Sequence, residues 1–207
     1  NMQIELDTYD LPEVFGRSID HLAYVIVHRE EQIDPWLVLG IPVYYAGPRL
    51  LEEAGYHKLR EVIQANQDKL SGFLIQSLND LGFYQRLLEE GLLDLSRVKL
   101  MGGHELNITN HESIQWIAEA GLGHYIISPE LGIEDIVMME KAANVESTSH
   151  LLAYGRLSGM LMKHCPASLI KGCLDDAQCP SCSFRKNIYL ADEFGSREVY
   201  RQHGYSE

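Results

Sequence analysis

Short apolar runs alternate with amphipathic stretches along most of this chain, and that rhythm constrains the fold more than any other feature. The runs His21–Val27, Ile41–Ala46, Gly72–Ser77, Val98–Gly102, Gly123–Ser128 and His150–Tyr154 are brief and mostly apolar, as strands buried on both faces are. Helices are expected between them. Pro48–Asn66 places Leu50, Leu51, Ala54, Leu59, Val62 and Ile63 close to a 3.6-residue rhythm. Asn79–Glu90 has Asn79 or Asp80 as a cap and Gly91 as a stop, and Asn110–Ala120 is capped by Asn110. Leu131–Ala143 and Arg156–Lys163 complete the set. Such alternation predicts parallel strands joined by right-handed crossovers. About six units are visible, short of the eight that close a barrel. The fold class is α/β: a partial or distorted TIM-like barrel, or an open parallel sheet.

A length of 207 residues with 45% hydrophobic content fits one domain with a small appendage. The division expected is a βα domain over 1–164 and a cysteine-rich tail over 165–207. The tail carries two weak strand signals, Ile188–Leu190 and Glu198–Tyr200, around Gly195. No apolar run is long enough for a bilayer, and the acidic start does not read as a leader peptide, so a cytoplasmic location is expected. Asn1 before Met2 reads as an added residue, and the chain as a piece of a longer protein. The net charge of -13 argues against a broad nucleic-acid surface, though not against a local basic pocket.

All four cysteines, Cys165, Cys173, Cys179 and Cys182, fall in one stretch. Four thiolates fill the shell of one tetrahedral zinc, or give one ligand to each iron of a four-iron cluster. Cys179 and Cys182 form a two-residue-gap pair, whereas Cys165 and Cys173 are too far apart to form the second pair usual for structural zinc. That irregularity points to an iron–sulfur cluster, with zinc as the alternative and His164 as a substitute ligand. Reduced thiols without metal are the bland reading.

In parallel sheets chemistry gathers at the carboxyl ends of strands. The segments after the expected strands bring His104, Asn107, Asn110, Glu130 and Arg156 toward one face, where they could hydrogen-bond a polar, planar or anionic ligand. Each has a plain alternative. Asn110 suits a helix cap, Glu130 suits the first turn of its helix, His104 suits an ordinary loop, and Arg156 suits a structural ion pair.

These loops, in this order, resemble the collagenase-like peptidases of family U32. The likeness rests on Leu106-Asn107-Ile108-Thr109-Asn110, Ser128-Pro129-Glu130-Leu131, Tyr154-Gly155-Arg156-Leu157 and Met162-Lys163-His164-Cys165-Pro166, together with the strand and turn over Ser71–Gly82. Family members usually begin with another βα segment, and nothing like it is read here. The resemblance also implies Pro-Leu-Met after the Gly-Arg pair, where this chain has Ser158-Gly159-Met160.

The resemblance implies either peptide hydrolysis or oxygen-independent hydroxylation of an RNA base or quinone-like ring by a cysteine-held cluster. No Gly-x-Ser-x-Gly elbow and no His-Glu-x-x-His helix is present, so no nucleophile or zinc-protease motif is nominated. The partners expected are a missing N-terminal segment or a complementary protein half, with RNA or a small aromatic substrate as ligand. The competing reading is a non-catalytic scaffold half with a structural zinc.

Overall fold

A computed structural model of the chain describes residues 4–51, 53–154, 157, 161–162, 165–172, 182 and 188–199. Seven strands form one sheet whose spatial order equals their sequence order: β1 (Ile4–Thr8), β2 (Leu22–Val27), β3 (Val43–Ala46), β4 (Gly72–Ile75), β5 (Lys99–Gly102), β6 (Leu122–Ile126) and β7 (Thr148–His150). Every neighbouring pair is parallel. Helices follow the strands: α1 (Ile33–Leu37), α2 (Glu53–Asn66), α3 (Leu78–Glu89), α4 (His111–Glu119) and α5 (Ile133–Ala143). Right-handed strand twist curls such a sheet. Here the curl is deep enough for β1 and β7, at opposite ends of the sheet, to touch through Glu5 and His150. The result is a TIM-like half-barrel.

Strand alternation sorts the core into two layers. Tyr24, Ile26, Tyr44, Ala46, Leu74, Met101 and Ile126 form one buried cluster on the concave face. Alternate residues such as Val25, Val43, Phe73 and Leu100 are buried on the convex face, where Phe73 meets Tyr84 of α3 at 5.4 Å between ring centroids. Gly72 is dictated by close approach. A Cβ there would lie 2.3 Å from the Lys99 carbonyl oxygen and 2.6 Å from the Tyr44 ring.

The chain divides into two compact units, residues 1–49 with 53–153, and 50–52 with 154–207. The second contains α6 (Pro166–Lys171) and an antiparallel hairpin of β8 (Ile188–Asp192) and β9 (Gly195–Val199). Asp192 Oδ1 closes the hairpin turn by accepting from the backbone N–H of Phe194 and Gly195, at 2.9 and 3.0 Å. Among the described residues no helix is long and apolar enough to cross a membrane.

Five local features differ from the sequence expectations. A strand, β1, precedes those expected; its Ile-Glu-Leu-Asp-Thr alternation lacks the apolar run that marks the others. The strand expected at His150–Tyr154 lies earlier, at Thr148–His150, and Tyr154 is fully exposed. Helix α2 begins at Glu53 rather than Pro48, leaving Arg49 outside it. Helix α3 is capped by Ser77, whose Oγ accepts from Asp80 N–H at 3.1 Å, not by Asn79 or Asp80. Helix α5 begins at Ile133 with Gly132 as its cap, so Glu130 is not in its first turn. The helix expected at 156–163 lies largely outside the described residues.

Candidate functional site

The carboxyl rim of the half-barrel collects polar groups from successive strand ends. After β5 the chain makes a single tight turn, His104–Leu106, and leaves it through Asn107 in the left-handed region at φ 50° and ψ 56°. That turn folds the Glu105 side chain back over the strand ends. Gly103 makes the room: a Cβ on it would sit 2.4 Å from Glu105 Oε2 and 3.3 Å from the Ile75 carbonyl oxygen.

The Glu105 side chain is only 9% exposed. Its Oε1 lies 3.6 Å from Arg49 Nε, and its Oε2 lies 3.5 Å from His104 Nδ1. Both separations allow charge attraction but exceed normal hydrogen-bond length. Oε2 is buried and accepts no hydrogen bond among the described residues. An unsatisfied buried carboxylate oxygen is costly, and native proteins retain few of them without a functional reason.

The rim around Glu105 is otherwise well bonded. Gln76, buried after β4, donates from Nε2 to the Gly47 carbonyl at 2.7 Å. Its own N–H donates to Asp80 Oδ2 at 3.3 Å, and Tyr56 Oη donates to Asp80 Oδ1 at 3.4 Å. Burial raises the Asp80 carboxyl above its ordinary range, against the opposing hydrogen bonds from Ser77, Gln76 and Tyr56. Asp7, near the end of β1, contacts Nε2 of His28, just after β2, and His28 stacks on Tyr9 at 4.1 Å between centroids. After β6, Ser128 is buried and its N–H donates to the Ile108 carbonyl at 3.2 Å.

Of the residues nominated from sequence, His104 belongs to this group. Asn107 is exposed and serves the backbone turn. Asn110 is the cap of α4, its Oδ1 accepting from Ser113 N–H at 2.8 Å and from Ser113 Oγ at 3.0 Å. Glu130 is exposed, with its N–H 3.4 Å from Ser128 Oγ. Arg156, His164, Cys173 and Cys179 lie outside the described residues. Cys165 carries a free, half-buried thiol just before α6, and Cys182 Sγ lies 3.6 Å from Lys171 Nζ. Among the described residues no group of three or more His, Cys, Asp or Glu is placed to hold a metal ion. Sequence reasoning missed Arg49, Glu105, Gln76 and the Asp7–His28 pair. The signal for Glu105 was present as a carboxylate straight after a Gly-Gly strand end.

A second polar group lies on the concave face. His150 Nδ1 is 2.7 Å from Glu5 Oε1 and 3.1 Å from Tyr24 Oη, while His150 Nε2 is 3.2 Å from His124 Nδ1. Tyr24 rests on Tyr44 at 4.7 Å between centroids. Burial pulls the Glu5 carboxyl upward, but hydrogen bonds to His150 and Tyr24 and the nearby histidines outweigh it, leaving Glu5 below its ordinary range. His124 is lowered by burial, then by Lys99 and His150, against the pull of Glu5. Burial and the Glu5 hydrogen bond push the Tyr24 phenol far up, so it stays protonated.

No family model matches the chain, and no curated protein matches it in sequence. Among solved structures, the U32 peptidase Mk0906 aligns over 72% of this chain and 67% of its own, with a TM-score of 0.53 and 14% identity. A putative fructose-1,6-biphosphate aldolase from Coccidioides immitis aligns over 71% of this chain and 62% of its own, with a TM-score of 0.49 and 9% identity. The curled sheet of seven parallel strands with its helices is thus a U32-peptidase-like fold.

Proposed function

We propose that the carboxyl rim binds a peptide-like ligand, and that the chain is an enzyme, or the substrate-binding half of one, of the U32 kind. The observation that carries this reading is the buried, unbonded Oε2 of Glu105, a carboxylate with His104 near Oε2 and Arg49 near Oε1. A ligand amide offers what this arrangement lacks: an N–H to donate to Oε2. The amide's carbonyl is an acceptor for the neighbouring cationic or imidazole donors. For hydrolysis, Glu105 is the group suited to take a proton from water, with His104 and Arg49 beside the oxygen that gains charge.

The experiment is incubation of the chain with a synthetic peptide mixture, reading new termini by mass spectrometry and binding by ligand-observed NMR. Cleavage or binding lost in Glu105→Gln, with the fold intact, supports the reading. Binding without cleavage selects the substrate-binding half. Neither binding nor cleavage by wild-type protein overturns it.

A second reading, oxygen-independent hydroxylation, is favoured by the thiols. Cys165 is free, and Lys171 beside Cys182 suits a thiolate, so these two fit metal ligation. Cys165, Cys173, Cys179 and Cys182 would hold a four-iron cluster, or zinc, with His164 as a substitute ligand. A cluster would carry away the electrons that the ring loses on hydroxylation, and zinc would supply only rigidity. Iron, zinc and sulfide analysis with the absorption spectrum of anaerobically purified protein separates the two. Metal-free protein from oxygen-free preparation removes this second reading.

A further inference from the structure

The two end strands of the described sheet, β1 and β7, pair with β2 and β6 and not with each other. They are joined instead by side chains. Glu5 on β1 meets His150 on β7 at 2.7 Å, and Tyr24 on β2 meets the same imidazole nitrogen at 3.1 Å. His124 on β6 holds the other nitrogen of His150 at 3.2 Å. A chain of hydrogen bonds therefore crosses the open side of the half-barrel, above the apolar layer of Tyr44, Leu74 and Met101.

We propose that the Glu5–His150–His124 chain is a proton-sensitive clasp that holds the two edges of the half-barrel together and releases them on acidification. The groups facing it are Glu5 from β1, Tyr24 from β2, Tyr44 from β3, Lys99 from β5 and His124 from β6. Both tyrosines are pushed up by burial and stay neutral, and Lys99 adds a fixed positive charge. A proton added to His124 brings a second cation beside Lys99 and His150. The 3.2 Å contact keeps His124 Nδ1–H as donor throughout, because Glu5 accepts from His150 Nδ1–H and leaves Nε2 as the acceptor, so the added charge and not a lost donor–acceptor match opposes closure. A proton added to Glu5 removes the charge that strengthens its bond to His150.

The signs agree. Both groups titrate below their ordinary values when the clasp is closed, so the open form takes up protons first. Closure is favoured above the ordinary histidine value and is lost as pH falls below it, first through His124 and then through Glu5.

The test is native-state hydrogen exchange of the whole chain read by mass spectrometry between pH 7.5 and about pH 5, corrected for the intrinsic rate. Protection of residues 4–8 and 148–150 is expected to fall together by at least about tenfold, while that of 72–75 holds, because Coulomb and hydrogen-bond losses of this size shift local equilibria that far. His124→Gln is expected to abolish the upper part of the pH step. Glu5→Gln is expected to leave the edges weakly protected at every pH. Edge strands whose protection does not change with pH, or changes only in step with 72–75, overturn the clasp. Because the wild-type profile alone decides this, a variant that fails to fold does not protect the proposal.

Discussion

The rim and the concave face each set a glutamate against a histidine, yet the two pairs differ in how completely they are bonded. On the concave face, Glu5 and His150 meet at 2.7 Å, and each ring nitrogen of His150 has a partner. At the rim, Glu105 stands 3.5 Å from His104 and 3.6 Å from Arg49, with one oxygen unbonded. A satisfied buried polar chain rigidifies a fold, and a half-satisfied one costs stability. On the proposed reading, the difference separates a group that serves the architecture from one held ready for a ligand.

Two glycines, Gly72 in the sheet and Gly103 at the rim, give the sharpest contrast. Gly72→Ala drives a methyl into the Lys99 backbone carbonyl and the Tyr44 ring, neither of which can yield easily. It is expected to cost about 3 kcal/mol or more, measured by urea denaturation. Gly103→Ala meets chiefly a flexible carboxylate, 2.4 Å away, and is expected to expel it at a cost below about 1 kcal/mol while abolishing peptide binding. Equal losses of stability would erase the distinction between the two regions.

His150→Ala comes next in size. It removes the link between Glu5 and His124 and is expected to cost about 2 kcal/mol at pH 7.5, the scale of charge-assisted hydrogen bonds in a mostly buried site. That loss is expected to shrink as pH falls, because the wild-type clasp is then already released. A loss independent of pH would make His150 a packing residue only. The smallest effect is expected at Asn110, whose bonds to Ser113 are a helix cap. Asn110→Ala is expected to cost about 1 kcal/mol and to leave peptide binding untouched. Lost binding at unchanged stability would return Asn110 to the ligand site.

The parallel α/β architecture was legible because the central strands are continuous apolar runs, Tyr24–Val27 and Val43–Ala46 being fully buried. β1 was not legible, since Glu5 and Asp7 break the apolar run that marks the other strands; the place of Glu5 on a concave polar face depends on a partner more than a hundred residues away. The rim was half legible. His104 was nominated through its position after a strand and lies beside Glu105, which was passed over. Its burial depends on the turn through Asn107 and the missing side chain of Gly103, which no local pattern announces. For Asn110 the structure shows the alternative role of helix cap, and Glu130 is exposed: strand ends gather residues by sequence, while helix starts and exposed turns engage some of them.

The measurement that bears most directly on the rim as a ligand site needs no ligand. Glu105→Met and Glu5→Met are compared by urea denaturation at pH 7.5. Sites kept for function rather than stability gain or hold stability when replaced, and Arg49 retains further interactions of its own. Glu105→Met is expected to be neutral or to stabilise by about 1 kcal/mol, and Glu5→Met to destabilise by about 2 kcal/mol. A loss at Glu105 as large as that at Glu5 would contradict the account, because the rim carboxylate would then be holding the fold together rather than awaiting a partner.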